Sequence, residues 1–360
     1  MDPAYVALAL TPGIGRARLT ALVERCGSAE AVFEAPAREL CDVPGVGTAA
    51  ATAIGERSPA DGERVIRRAV ERGGTVLVPG APAFPIRLTE IPDAPALLFA
   101  AGRLELLHRP AVAMVGSRGN SRYGAEAARF FAAGCAGAGL VVVSGMARGI
   151  DAVAHEAALE AGGDTVGVLG NGLGVVYPSA NRRLYERMNA DGCLITEFPP
   201  GERPTAGSFS RRNRLISGLA HLVLVIEAGD RSGALVTAGY GTEQGRDVLA
   251  VPGSIFSPVS RGCNRLIQHG AKPALGLRDV FEEFGIRQEG VPGAALPTDL
   301  SDDERRVLDL VANGDLQVDD IAAGLAVPAA HALAVLTSLE IRGLLVQEPG
   351  KLFRKARRCP

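Results

Sequence analysis

Apolar positions along the chain follow two rhythms, and the change between them comes near residue 73. From there onward they form short β-branched runs that end in glycine and lead into helical segments: TVLVPG (75–80), ALLFAAG (96–102), VAMVGSRG (112–119), LVVVSGMARG (140–149), TVGVLGNGLG (165–174), CLITEFPPG (193–201), HLVLVIEAGD (221–230) and DVLAVPGS (247–254). Near-continuous apolar strands alternating with helices predict an α/β fold built on a parallel sheet covered on both faces. Ligands bind such sheets outside the carboxyl ends of the strands, which is where the glycines fall.

Ahead of that change the spacing is helical, interrupted by LTPGIGRARL (10–19) and DVPGVGTAAATAI (42–54). Two copies of Pro-Gly-apolar-Gly, each entering an Ala-, Leu- or Arg-rich helix, make a weak internal repeat. In helix-hairpin-helix units such a turn offers backbone N–H groups to a DNA phosphate. Equally, Pro and Gly can simply stop and start the helices of a small bundle. At the other end GIRQEGVPGAALPTDL (285–300) reads as a linker. Beyond it, Ser301 caps an acidic first turn, and three amphipathic helices precede a short hairpin around Pro349-Gly350, a winged-helix pattern. The expected organisation is a small helical domain over 1–72, the α/β domain over 73–285, a linker over 286–300 and a winged-helix-like domain over 301–360. Either end domain could touch duplex DNA or a protein. The terminal KLFRKARRCP adds cations that a solvated tail would also explain.

Composition narrows the chemistry. An apolar fraction of 47% excludes global disorder, and a formal net charge of −2 excludes an overall basic field, so any anion site must be local. The cysteines at 26, 41, 135, 193, 263 and 359 include no C-x-x-C pair, and the histidines form no metal-spaced cluster. Reduced thiols and no metal or cofactor are therefore expected. No basic leader followed by an apolar run opens the chain, and no long uninterrupted apolar stretch crosses it. A soluble cytoplasmic protein without membrane contact is the expectation.

Five segments carry candidate chemistry, four of them glycine-lined loops. In MVGSRGNSRYGAEAARFF (114–131), Gly116 lets backbone approach a ligand, while Ser117 and Arg118 stand where a helix N-terminus would meet phosphate. A dinucleotide fingerprint is disfavoured, because G-x-G-x-x-G is missing. In VVSGMARGIDAVAHEAAL (142–159), Ser144, Gly145 and Gly149 surround Arg148, and Asp151 lies one turn before His155. That pair invites an acid–base reading, but a helix-start Asp with a histidine tied to it is the plainer one. VLGNGLGVVYPSANRRLYERM (168–188) suggests a loop rim at Tyr177 and Pro178, with Asn181 and Arg182 as contacts. In EAGDRSGALVTAGYGTEQGRDVLAVPGSIFSPVSRGCNRLIQHGA (227–271), Ser232, Gly233 and Thr237 open a helix, Gly253 and Ser254 end a strand, and Ser260, Gly262 and Asn264 precede another helix. Many donors and few paired carboxylates suit holding phosphates better than cleaving bonds, so no catalytic residue is assigned.

SFSRRNRLISGLAHLVLVIEAGD (208–230) sets Arg211, Arg212 and Arg214 before a very apolar stretch. At about 100° per residue, Leu215, Ile216 and Leu219 share a face. Arg212 falls on that face, and Arg211 and Arg214 flank it outward. A guanidinium on the packed side needs a carboxylate or an anionic ligand nearby. Phe209 is either core or a platform for a base.

VGSR (115–118), SGMARGID (144–151), RRNRLISGL (211–219), EAGDRSGALVTA (227–238), EQGRDVLAVPGS (243–254) and GCNRLIQHGA (262–271) together resemble, in order and spacing, the DNA-processing protein A (DprA/Smf) family over roughly residues 80–285. The flanks fit as well, since family members often carry a sterile-alpha-motif-like or helix-hairpin-helix domain before, and a winged-helix-like domain after. The resemblance implies an extended Rossmann-like domain that binds single-stranded DNA without sequence preference, usually as a homodimer. It further implies that the strand is handed to RecA during natural transformation, without catalysis. Carried onto this chain, the phosphate pocket would use Ser117, Arg118, Arg212, Asn213 and Arg214, with Phe209 near a base. Gly116, Ser144, Gly145, Arg148, Gly149, Arg211, Ser232 and Gly233 complete the expected DNA-binding set. Two departures stand out: Ala206 where the family commonly has a basic residue, and Ser210 in place of proline. AGYGTEQGR (238–246) also differs from the usual spacing before E-Q-G-R.

The competing reading is a Rossmann-like nucleotide phosphoribohydrolase, whose relatives carry P-G-G-x-G-T-x-x-E. AGYGTEQ (238–244) echoes that loop through Gly241, Thr242 and Glu243, but the P-G-G is missing and Glu243 comes one place early. A scaffold whose end domains bind only proteins is the third.

Overall fold

The structure, a computed structural model, describes residues 1–286, 300–311, 314, 316–342, 344–348 and 352–355. The chain divides into two compact units, Met1–Ile286 and Arg287–Pro360. Apart from Ile286 and Leu300, the expected linker lies outside the described residues, as do Pro349-Gly350 and most of the basic tail.

The first unit begins with helices α1 (Pro3–Ala9), α2 (Arg16–Cys26), α3 (Ala29–Glu34), α4 (Ala37–Cys41), α5 (Thr48–Gly55) and α6 (Pro59–Glu71). The two Pro-Gly-apolar-Gly turns have one geometry. Gly13 and Gly45 take φ +81° and +82°, which favours glycine, and Ile14 and Val46 are buried between the helices. Gly15 and Gly47 then serve as N-caps of α2 and α5.

The rest of this unit is a nine-stranded sheet: β1 (Gly74–Leu77), β2 (Leu98–Gly102), β3 (Ala111–Gly116), β4 (Val141–Ser144), β5 (Thr165–Val168), β6 (Cys193–Thr196), β7 (Leu222–Glu227), β8 (Asp247–Ala250) and β9 (Lys272–Pro273). Its order is β1-β2-β6-β5-β4-β3-β7-β8-β9. Each apolar run contributes a strand, and pairing is parallel from β6 through to β9. The expectation of a parallel sheet needs one correction, because β2 runs antiparallel to both β1 and β6. An apolar run buried on both faces reads alike in either direction, so its pattern carries no polarity.

Seven helices follow the strands: α7 (Arg122–Gly137), α8 (Ile150–Glu160), α9 (Arg182–Asp191), α10 (Ala206–Leu219), α11 (Gly233–Glu243), α12 (Arg261–Gln268) and α13 (Leu277–Glu283). Alternation along β3 separates the two faces. Ala111, Ala113 and Val115 pack with Leu215, Ile216 and Leu219 of α10, while Val112 and Met114 pack with Phe131 of α7 and Ile150 of α8.

The second unit comprises α14 (Asp302–Leu310), β10 (Leu316–Gln317), α15 (Val318–Leu325), α16 (Ala329–Ile341), β11 (Leu345–Glu348) and β12 (Leu352–Lys355), with its antiparallel strands in the order β10-β12-β11. Ser301 and Glu304 form a capping box at α14. Three helices with a hairpin constitute the expected winged helix. Among the described residues, no single helix is long and apolar enough to cross a membrane.

Candidate nucleic-acid interface

From β3 the chain winds through β4, β5 and β6 on one side of the sheet, then crosses back to β7, β8 and β9 on the other. β3 and β7 are neighbours whose loops diverge, so a crevice opens at their carboxyl ends. The loop after β3 is fixed from several directions. Ser117 N donates to Glu227 O at 2.7 Å, and Ile150 N donates to Ser117 O at 3.1 Å. Gly116 must be glycine here, because a Cβ would lie 2.5 Å from Ile150. Gly149, at φ +81°, passes directly beneath this loop, where a Cβ would come 2.2 Å from Ser117 O.

The expected order of strand, Gly-Ser-Arg, turn and helix holds, but the helix start beyond Ser117 and Arg118 is not open to a phosphate. α7 starts at Arg122, and its first amides are taken by the protein itself. Ser121 N donates to Glu227 Oε2 at 2.8 Å, the Ser121 hydroxyl donates to the other carboxylate oxygen, and Gly124 N donates to Ser121 Oγ. The anion favoured at that helix start is the buried Glu227 side chain. Arg118 is thereby left on an exposed loop ahead of the helix.

Two cavities adjoin at this edge. The first, about 530 Å³, is lined by Gly116, Ser117, Arg118, Arg212, Asn213 and the segment Gly229–Ala234 at the start of α11. The second, about 290 Å³, is lined by Gly145, Met146, Ala147, Arg148, Leu169, Gly170, Asn171, Tyr177, Pro178 and Phe209. Arg118 borders both. Its guanidinium carbon sits 5.2 Å from the Phe209 ring centroid, and the Tyr177 ring lies 5.3 Å from Phe209 with 34° between planes. One cavity therefore offers guanidinium, hydroxyl and amide donors, and the next offers aromatic faces.

α10 distributes its arginines differently from the helical-wheel expectation. Arg212 does face the packed side and is 3% exposed. Nη1 donates to Gly145 O at 2.5 Å and to Val168 O, and Nε donates to Asn213 Oδ1 at 3.2 Å. The carboxylate that balances it is Asp151, which accepts Gly145 N at 3.1 Å and Ala147 N at 3.3 Å. Burial pulls the Arg212 guanidinium down to about 10, opposed by Asp151 and reinforced by Arg118. Burial likewise pushes the Asp151 carboxyl up, with Arg212 as the main counterweight. Arg212 thus forms the cavity floor with its charge already partnered.

Arg214, expected to point outward, is buried. Nη1 and Nη2 donate to the two oxygens of Glu197 at 2.6 and 2.7 Å, and Nε donates to Asp93 Oδ2 at 2.9 Å. The physical reason is that α10 has a second covering. Leu88 and Ile91 press on Gly218, one turn beyond Arg214, so the dry surface of the helix is wider than the stripe of Leu215, Ile216 and Leu219. Arg211 stays exposed, with its guanidinium 5.7 Å from the Phe198 ring.

Other expected roles are also redistributed. His155 is not tied to Asp151; its Nδ1 pairs with Thr165 Oγ1 at 2.6 Å. Burial, with Arg212 nearby, lowers its pKa to about 3, so the ring is neutral and unfit for acid–base work with Asp151. Ser144 is fully buried and its hydroxyl donates to Met114 O at 2.6 Å, which keeps it away from the cavity surface. Asn181 Nδ2 donates to Met146 O and Ala147 O, bracing the loop that carries Arg148. Gly262 and Asn264 lie inside α12 instead of before it, and the Asn264 side-chain amide clasps Gly253, Nδ2 donating to its carbonyl and Oδ1 accepting from its N–H. Among the described residues no cluster suited to a metal ion occurs.

Of the expected set, Gly116, Ser117, Arg118, Arg212, Asn213, Ser232 and Gly233 gather on the first cavity, and Gly145, Arg148 and Phe209 on the second. Arg211 and Arg214 face a third cavity on the other side of α10. Sequence reasoning missed Arg231 on the first cavity and Glu227 beneath it, although both fall within the quoted EAGDRS stretch. An alternation of charge and glycine after a strand was the available signal.

The DNA recombination-mediator protein A family matches residues 75–285, and the DprA winged helix domain family matches residues 291–351. The chain is 32% identical to protein Smf of Synechocystis sp. over 391 aligned positions, covering 98% of each. The X-ray structure of DNA processing protein A from Streptococcus pneumoniae superposes with a TM-score of 0.70 at 36% identity, over 80% of this chain and 99% of that one. The Helicobacter pylori DNA processing protein A, described for its single-stranded DNA binding mode, superposes with a TM-score of 0.54 at 26% identity, over 59% of this chain and 95% of that one.

Proposed function

Because the chain belongs to the DNA recombination-mediator protein A (DprA/Smf) family, we propose that it binds single-stranded DNA at the paired cavities and passes the strand to RecA. The observation that carries this reading is Arg118, shared between a donor-lined cavity and an aromatic one. A nucleotide is a phosphate beside a flat ring, and these cavities offer a phosphate site beside ring faces. Ser117, Arg118, Asn213, Arg231 and the α11 start around Ser232 and Gly233 hold phosphates. Phe209 and Tyr177 take a base. Gly145 and Arg148 form the rim, while Arg212, Ser144 and Gly149 support the floor from within. Stacking on a ring face and charge on a phosphate read no base edges, so binding is independent of sequence. The Helicobacter pylori relative described for single-stranded DNA binding supports the assignment.

Strand transfer to RecA, assembly as a homodimer, a part in natural transformation and a cytoplasmic setting belong to the same proposal. We assign single-strand binding to 73–285, with 1–72 and 301–360 as accessory domains. No catalytic step is assigned. The phosphoribohydrolase alternative is disfavoured, because Gly241, Thr242 and Glu243 fall at the far end of α11. At about 1.5 Å per residue, that is roughly 6–9 Å along the helix beyond Thr237, the α11 residue farthest from its start that lines the cavity.

Fluorescence anisotropy of labelled oligo(dT) at increasing salt tests the reading. Affinity should fall by roughly 0.7 log units per log unit of salt for each neutralised phosphate. Arg118→Ala should weaken binding and flatten that slope, and equal affinity for both proteins would sink the pocket. Release of free base from a nucleoside monophosphate would instead favour the hydrolase. The RecA step is read separately, as a shorter lag in RecA assembly on single-stranded DNA when this protein is added.

A further inference from the structure

The loop between β8 and α12 carries Ile255 and Phe256, which are 75% and 87% exposed. Single apolar side chains on a surface need no explanation. These are adjacent, and the loop presenting them is pinned. Tyr123 Oη donates to Pro252 O at 2.7 Å, Asn264 Nδ2 donates to Gly253 O at 3.0 Å, and Gly253 N donates to Asn264 Oδ1 at 3.2 Å. Within the loop, Phe256 N donates to Ser254 Oγ at 3.2 Å and Ser257 N to Ser254 O at 3.0 Å. A few residues further on, Val259 lines the first cavity beside Gly229 and Asp230. Arg265 and Arg261 approach Asp230 at 3.0 and 4.0 Å, so cations border this edge as well.

We propose that Phe256, with Ile255 beside it, is a second base platform, taking the nucleobase that leaves the phosphate cavity on the side away from Phe209. This rests on the single-strand reading and extends it by defining the strand's course. One base lies against Tyr177 and Phe209, the linking phosphates lie at Arg118 and Ser232, and the following base lies on Phe256. The occupant follows from continuity, since the same short loop forms a cavity wall at Val259 and carries the exposed ring at its tip. A ring on a pinned loop, three residues from the cavity-lining Val259, accepts any base, because every base offers a π-face.

The chain contains no tryptophan, so Phe256→Trp supplies a single reporter at the platform. Its emission should change on titration with oligo(dT), saturating together with the anisotropy of the labelled strand. Phe256→Ala should cost roughly tenfold in affinity, the size of one base stacked on an aromatic ring. Its salt slope should match the wild type, because no charge is removed. Unchanged tryptophan emission at saturation, while Arg118→Ala still weakens binding, would overturn the platform and leave the proposed function standing. A wild type that fails to bind oligo(dT) would overturn both. Sedimentation of Phe256→Ala without DNA covers the rival occupant: a lower mass than wild type would reassign the loop to self-association.

Discussion

Two clefts flank the first turns of α10, and they are almost equal in volume, about 530 and 540 Å³. Their electrostatics differ. On the side of β3 and β7, Arg118 and Arg231 are exposed, and Arg212 beneath them is balanced by Asp151. On the side of residues 9–16, Arg214 is held by both oxygens of Glu197 and by Asp93, and exposed Arg211 stands 3.8 Å from Glu197, while Arg16 and Arg57 line the same cleft half-buried. A guanidinium already bound at both edges has little left to offer a phosphate. Volume therefore does not distinguish the proposed binding cleft from the other; the partnering of the α10 arginines does.

Four substitutions would break or sharpen that contrast. The largest effect is expected at the other cleft. Arg214→Met takes from buried Glu197 the guanidinium on both its oxygens, leaving it Arg211 at 3.8 Å, and should cost about 3–5 kcal/mol of stability in urea unfolding. The fraction that remains folded should bind oligo(dT) as before, and a selective loss of binding would place Arg214 in the DNA site after all. Next comes Arg118→Ala, which should lower affinity by about 1.5–3 kcal/mol, the range for a hydrogen bond to a charged group. Its unfolding midpoint should stay within about 0.5 kcal/mol of wild type, as for an exposed residue.

Acid should act beside Arg212, beneath the proposed DNA cleft, through His155, whose folded pKa of about 3 lies below the ordinary 6.5. Between those values the unfolded chain binds the additional proton, so the stability is fully present above 6.5 and is lost as pH falls toward 3. Asp151, shifted upward, opposes this at lower pH, so the informative quantity is the difference between wild type and His155→Gln. That difference should grow by up to about 2 kcal/mol on going from neutral pH to about pH 5. Parallel stability curves for the two proteins would contradict the buried neutral ring. The smallest effect belongs to Arg211→Ala, an exposed cation at the other cleft, which should change both stability and affinity by less than about 1 kcal/mol. A loss as large as that of Arg118→Ala would erase the distinction between the clefts.

Much of this arrangement was legible locally. Gly116 at a strand end and Ser301 ahead of an acidic turn announce themselves through neighbours a few residues away. Arg212 on the packed face followed from the spacing of Leu215, Ile216 and Leu219. Arg214 did not, because its environment depends on Glu197 and on Asp93, which lies 121 positions away in the chain. That the start of α7 is already occupied was hidden for a related reason. The carboxylate that occupies it, Glu227, arrives from the neighbouring strand 106 positions later.

What the sequence determined by itself was the class of fold, the succession of strands and helices, and the set of segments that meet at the carboxyl edge. These follow from periodicity and from glycine, which act over one or two turns of backbone. Only the tertiary structure decided the direction of β2, the partner of His155, and which of the α10 arginines are committed to internal carboxylates. Burial and ion pairing are properties of surfaces brought together from distant parts of the chain, and no local pattern carries them.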